Sequence, residues 1–318
     1  MSGYEIRPSV EADASAVLQL MARALGWEPG GADAQLFRWK HRQSPFGVSP
    51  AWVAVEDGQV IGFRTFMRWE FEHRGEVVRA VRAVDTATDP DHQGRGIFKA
   101  LTLHAIAELR ADGVAFVFNT PNDQSRPGYL KMGWQVVGRL PVSFRPRTPA
   151  SMIRVLRARV PAELRSTPSQ AGQAASTVLA QESVAALLDA AGGSAGLRTR
   201  RSVDFLRWRY SQPDLHYRAV AAGPSVQDGL LLLRTRRRGA ALELALCDVL
   251  LPAGASSRGL VGRALRLTGA DYAIAVGRGR GLAPLPRQGP VLTCLPLDGG
   301  PLPDWQRAQL VLGDVELF

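Results

Sequence analysis

The sequence predicts an α/β fold of the α+β kind, built twice along one chain. Three observations carry that prediction. The order helix, helix, strands, turn, helix, strand occurs in both halves. A glycine-rich run, Gln93-Gly94-Arg95-Gly96-Ile97, stands between a strand-like stretch and a helix-like one. Asp57-Gly58, flanked by alternating apolar residues, marks a tight hairpin.

The elements follow in order. Residues 16–25 space their apolar side chains three and four apart, and 36–45 carry a second short helix with Arg38-Trp39. Residues 52–63 read as a hairpin around Asp57-Gly58, and 69–88 as long strand structure ending before Pro90. The glycine turn follows, then a helix from Phe98 to Asp112 and a strand from Val114 to Phe118. In the second half, helices at 183–191 and 205–213 carry the matching Arg207-Trp208 pair. Strands are expected at 217–222, 229–234, 241–252 and 272–276. The expected divisions are a domain over 1–147, a Pro/Arg/Ser-rich linker over 148–175, and a second domain over 176–318.

At 318 residues, 46% hydrophobic and 21% charged, the chain has the composition of a folded protein. No stretch is long and apolar enough to suggest a membrane span, and the N-terminus lacks a signal-peptide pattern, so a cytoplasmic setting is expected. Two cysteines and five scattered histidines give no disulfide framework and no metal-ligand spacing. The net charge of +10 rests almost wholly on dispersed arginine, which argues for an acidic small ligand over nucleic acid.

A glycine turn that opens a helix leaves backbone N–H groups unpaired where the helix dipole adds positive charge, which suits a phosphate or pyrophosphate. A P-loop is excluded, since no Gly-Lys-Ser/Thr follows. Lys99 stands where a dinucleotide fingerprint needs its third glycine. A second signal comes later, in Asn122, Ser125, Tyr129, Gly133 and Trp134.

These two motifs resemble the GNAT superfamily of acyl-CoA N-acyltransferases. Gln93-Gly94-Arg95-Gly96-Ile97-Phe98 matches its phosphate-binding pattern. Asn122 to Trp134 matches its Asn-x-x-Ser-x-x-x-Tyr-x-x-x-Gly-aromatic pattern. Phe98 departs from the family, which usually has Gly or Ala there. The resemblance covers about residues 4–145 well and 175–318 only as a degenerate copy. It implies two tandem domains, each a mixed, mostly antiparallel twisted sheet flanked by helices. It also implies acetyl-CoA as cosubstrate and transfer to a primary amine of a small molecule. The alternatives are a peptide or protein lysine as acceptor, or a non-catalytic CoA-binding sensor or assembly protein.

By the same resemblance, Ala87 and Thr88 would pair with the pantetheine arm, and the amides of Gly94, Arg95, Gly96, Ile97 and Phe98 would hold the pyrophosphate, with Gln93 opening the turn. Tyr129 would protonate the departing thiolate, unless it is a helix-face aromatic of the core. Asn122 would orient the cofactor, or else cap the turn before Pro127. Arg82 occupies the strand position where relatives carry a basic glutamate, and arginine cannot serve. Asp85, a carboxylate in an apolar strand, is one candidate base if its setting raises its pKa; the other reading is a hydrogen-bonded strand residue. The terminal carboxylate of Phe318 is a second candidate, by likeness to the tandem branch that includes the enhanced-intracellular-survival acetyltransferases. Either a monomer or a homodimer is compatible with a duplicated chain.

Overall fold

The computed structural model describes residues 3–28, 30–192, 196–257 and 259–316. The first half runs β1 (Glu5–Pro8), α1 (Ala14–Leu25), α2 (Ala32–Arg42), β2 (Ala51–Glu56), β3 (Gln59–His73) and β4 (Glu76–Thr88). Then come α3 (Ile97–Ala111), β5 (Phe116–Asn119), α4 (Arg126–Lys131) and β6 (Gln135–Arg139). Next are β7 (Val142–Pro146), α5 (Pro149–Arg157), β8 (Gln173–Ala174), α6 (Ala175–Leu179), α7 (Ser183–Ala190), β9 (Arg198–Thr199) and α8 (Val203–Arg209). The chain closes with β10 (Arg218–Ala221), β11 (Leu230–Arg238), β12 (Ala241–Leu250), α9 (Leu260–Thr268), β13 (Tyr272–Val276), β14 (Ala283–Leu285), β15 (Val291–Pro296) and α10 (Leu312–Val315). None of the described helices is long and apolar enough to cross a membrane.

Two mostly antiparallel sheets flanked by helices result, as the sequence predicts. The units they build do not follow a single cut in the chain. Unit 1 comprises Met1–Glu72, Glu76–Gly138 and Val291–Gln306; unit 2 comprises His73–Gly75, Arg139–Pro290 and Arg307–Phe318. Each sheet therefore receives a strand from the other half of the sequence. In unit 1 the order is β1-β2-β3-β4-β5-β15-β6, and in unit 2 it is β14-β7-β13-β12-β11-β10-β8.

The exchange has a physical reason in unit 1. All four residues of β5 are buried, so an exposed β5 edge would leave apolar surface and ladder groups in water. β15 covers that edge antiparallel, pairing Thr293 with Asn119 and Pro296 with Phe116. Leu297 N–H then donates to Ala115 O, and Trp305 packs against Phe71, Phe116 and Phe118.

The segment expected to be a linker carries structure of its own. Thr148 caps α5, its Oγ1 accepting from Ser151 N–H at 3.1 Å, and Arg154 donates to Asp271 at 2.8 Å. Thr167 forms a bridge with Thr235 of β11. Pro149 at the first turn favours helix, so a segment rich in breakers still folds.

Within unit 1, Ile97, Leu101, Ala105 and Leu109 of α3 recur at helical spacing and pack with Tyr129 and Trp134 on one sheet face. Val17, Leu20 and Met21 of α1 cover Val53, Val60, Phe63 and Ala87 on the other. This sandwich sets the end of β4 between α1 and α3.

Candidate active site

The parallel register of β4 and β5 runs from Ala80↔Phe116 to Arg82↔Phe118, while β4 itself continues to Thr88. The two strands splay beyond Arg82. The bend has a local cause: Asp85 adopts φ +34, a conformation that strains any non-glycine residue inside a strand. The β4 edge from Ala83 onward is left facing the splay.

Asp89 terminates β4 and organises the turn. Its carboxylate accepts from Asp91 N–H at 3.1 Å and from Arg23 at 2.8 Å, and lies 3.0 Å from His92 Nδ1. Burial works to raise the Asp89 pKa, but these hydrogen bonds outweigh it and hold the carboxyl below its usual range. Gly94 and Gly96 follow at φ +76 and +75, and a Cβ at either would meet nothing within 4 Å. Gly96 is the N-cap of α3 and offers no side chain as a cap. The first bond of this helix runs from Ala100 N–H to Gly96 O, so the amides of Ile97, Phe98 and Lys99 have no carbonyl inside the helix.

These pieces border an open cavity of about 600 Å³. Its walls are Ala24 and Leu25 at the end of α1, Thr86 to Thr88, the turn from His92 to Gly94, Gly96 to Lys99, and Gln124, Ser125 and Gly128 before and within α4. Of the residues the sequence singles out, Ala87, Thr88, Gln93, Gly94, Gly96, Ile97 and Phe98 converge here. Arg95 sits between the two glycines, and its guanidinium turns away to pair with Glu56 at 2.6 Å. Asn122 is exposed, with Oδ1 accepting from the Ser125 N–H and hydroxyl at 2.8 and 2.9 Å; its carboxamide holds the turn into α4.

Tyr129 is 4% exposed and packed edge-on against Phe98 and Trp134. Arg64 Nη2 donates to its hydroxyl at 2.9 Å. Phe98, the departure from the family pattern, lies partly buried against the same core.

Asp85 sits in a network the sequence does not reveal. Lys40 Nζ lies 2.6 Å and His41 Nε2 2.8 Å from its Oδ2, and His41 Nδ1 lies 2.9 Å from Ser49 Oγ. The expected direction of its pKa shift is reversed. Burial works to raise the Asp85 pKa, but the Lys40 charge and the His41 hydrogen bond outweigh it and hold the carboxyl well below the usual carboxylate range. Burial pushes the His41 pKa down, against the pull of Asp85. A neutral ring facing an acceptor-only carboxylate carries its proton on Nε2, so Nδ1 accepts from the Ser49 hydroxyl. Lys40 and His41 are neighbours in sequence beside Trp39 and show no ligand spacing, which is why periodicity does not find them. Arg64 was legible in principle, as a cation at core-facing parity in an apolar strand. The Phe318 carboxylate lies outside the described residues. Among the described residues, no cluster of His, Cys, Asp and Glu suits a metal ion.

Unit 2 keeps the form without the side chains. β12 pairs parallel with β13 from Glu243↔Tyr272 to Leu246↔Ala275 and runs on to Leu250, and Gly259 at φ +81 caps α9. Asp248 is paired with Arg201 at 2.9 Å. If Gly289 is laid on Gly133 in the sequence, Leu285 falls at the place of Tyr129, and it lies in the short strand β14 where Tyr129 lies in a helix.

Residues 5–137 match the family model described as an acetyltransferase (GNAT) domain. Over 138 residues, 39% of this chain, the sequence is 32% identical to a mycothiol acetyltransferase of Saccharomonospora viridis and covers 43% of that protein. It is 30% identical over 128 residues to a mycothiol acetyltransferase of Actinosynnema mirum, covering 38% of this chain and 41% of that protein. The match thus spans less than half the length of these relatives. Among solved structures, a probable N-acyltransferase from Enterococcus faecalis V583 matches 93% of this chain and 73% of its own, with a TM-score of 0.67 at 11% identity. Eis1 from Mycobacterium abscessus matches 93% of this chain and 74% of its own, with a TM-score of 0.56 at 16% identity. At these identities the likeness is one of fold.

Proposed function

We propose, for a chain whose residues 5–137 are a GNAT acetyltransferase domain, that it moves an acetyl group from acetyl-CoA directly to a primary amine of a small molecule. One observation carries the reading: the splayed β4 edge, the uncapped start of α3 and the Gly94–Gly96 turn border one cavity of about 600 Å³. Three amides with no carbonyl inside the helix suit a pyrophosphate, and a strand edge suits the amide-bearing pantetheine arm. The two glycines leave open the space that a side chain would fill. The curated relatives are named for a small molecule, mycothiol, which supports a small acceptor.

In this reading the amine attacks the thioester carbonyl, the N–C bond forms, and the C–S bond breaks with its electrons leaving on sulfur. Tyr129 donates a proton to that sulfur. Its oxygen already accepts from Arg64, which leaves its own O–H free to donate. Asp85 contributes a fixed negative charge. A carboxyl held this far below its usual range is a weak proton acceptor, so its task is to hold Lys40 and His41 and the bend of β4.

The test is thiol release from acetyl-CoA with a panel of glucosamine, tobramycin, spermidine and lysine, together with calorimetry of CoA binding. Saturable binding and amine-dependent release support the reading. CoA binding without release from any amine turns it towards a non-catalytic sensor, and no CoA binding ends it.

A further inference from the structure

Arg64 lies on β3 opposite Trp52 of β2, and its side chain is fully buried. A guanidinium carries five N–H donors and stays charged at any pH of interest. Nη2 binds the Tyr129 hydroxyl, yet Nε and Nη1 are buried with no hydrogen-bond partner. Among the described residues no carboxylate pairs with it. Its surroundings are aromatic: the guanidinium carbon lies 4.4 Å from the Phe66 ring centre and 5.5 Å from those of Phe98 and Tyr129. A buried cation lacking a counter-charge is costly to fold, so the fold tolerates a penalty at this position.

The location gives that penalty a use. Phe98 and Gly128, which touch or precede the Tyr129 ring, line the cofactor cavity. A phenol has one proton and can turn its O–H towards any acceptor. With a guanidinium N–H directed at its oxygen, the phenol is held as acceptor on the Arg64 side and its proton is directed elsewhere. We infer that Arg64 is a positioning residue for the proposed acid: it fixes the orientation of the Tyr129 hydroxyl and faces the negative charge left there when the proton passes to the departing sulfur. The inference rests on the assignment of Tyr129 above. The balance is simple: the phenol proton moves to the thiolate, the phenolate facing Arg64 then takes a proton from water, and the amine's surplus proton goes to the medium.

The experiment is a double-mutant cycle in the full chain, using Arg64→Lys, Tyr129→Phe and the pair, with Arg64→Met as a second variant. Acetyl-CoA is the donor. The fastest amine of the panel is the acceptor, and slow hydrolysis, with water as acceptor, gives the same readout if no amine is used. Arg64→Lys is expected to lower kcat about 10- to 1000-fold while KM for acetyl-CoA and CoA affinity stay within about threefold. In the Tyr129→Phe background it is expected to change kcat less than about threefold, since its target is gone. Equal effects in both backgrounds overturn the inference and leave Tyr129 as the acid. An unchanged kcat in Arg64→Lys does the same. Loss of CoA binding in both Arg64 variants also overturns it, since Arg64 would then serve the fold. Full turnover in Tyr129→Phe removes the assignment of the acid itself, and the inference with it.

Discussion

Tyr129 and Asp85 are both polar groups in apolar surroundings, and their partners give them opposite prospects. Tyr129 binds a donor, Arg64, so its proton is available. Tyr129→Phe is expected to lower kcat by about 100-fold or more with CoA affinity unchanged, read by steady-state kinetics beside calorimetry. Asp85 binds Lys40 and His41, so its charge is fixed. Because the folded carboxyl is more acidic than in the unfolded chain, its contribution is complete above about pH 4 and drains away as pH falls below that. His41 acts in the same direction at higher pH. The unfolded imidazole takes a proton below about pH 6.5 while the buried ring resists, so stability declines from there downward. Urea unfolding from pH 8 to 4 is expected to show this decline, and His41→Gln is expected to flatten it between about pH 6.5 and 5. Lys40→Met leaves the half-buried Asp85 beside His41 alone and is expected to destabilise the chain by about 2 kcal/mol at pH 7, measured the same way.

At the scale of elements, the turn from β4 into α3 is where backbone conformation and binding meet. Gly96 at φ +75 caps α3 with its backbone alone. Gly96→Ala meets no neighbour within 4 Å, so its cost is conformational, about 1 kcal/mol, and falls on the geometry of the amides behind it. CoA affinity is expected to drop about fivefold or more. Gly259→Ala is the internal control, since Gly259 caps α9 of unit 2 in the same left-handed conformation with the same open surroundings. It is expected to lower stability similarly and leave CoA affinity unchanged; a drop in affinity there would move the cofactor out of unit 1.

At the scale of the molecule, the exchanged strands decide where the chain can be cut. A fragment of residues 1–147, the division the sequence suggests, lacks β15 and carries β7 without its sheet. It leaves the buried β5 edge unpaired, and such an edge is an aggregation site. The fragment is expected to be insoluble or to lack a cooperative unfolding transition. Adding a peptide of residues 288–306 is expected to restore both solubility and the transition, measured by circular dichroism and size-exclusion chromatography. A soluble, cooperatively folding 1–147 fragment would show that β15 is dispensable.

What the sequence determined by itself was local. The Asp57-Gly58 hairpin needs left-handed backbone at two adjacent positions, and the Gly94–Gly96 turn needs it just before a helix. Both requirements are written in residue type. The spacing of apolar residues in α1 and α3 likewise shows which face is buried. Three things were decided only by tertiary structure. The covering of β5 by a strand from the far end of the chain has no local signal, because any short apolar strand of suitable length reads alike. The charge of Asp85 depends on Lys40 and His41, which adjacency in sequence gives no reason to place on a strand's carboxylate. The buried Arg64 gains its meaning from the Tyr129 hydroxyl 2.9 Å away, a contact that spans 65 positions and exists only once β3 and α4 have packed. Pattern fixes what a segment prefers by itself, while long-range packing sets which charges share a low-dielectric space and therefore what they do.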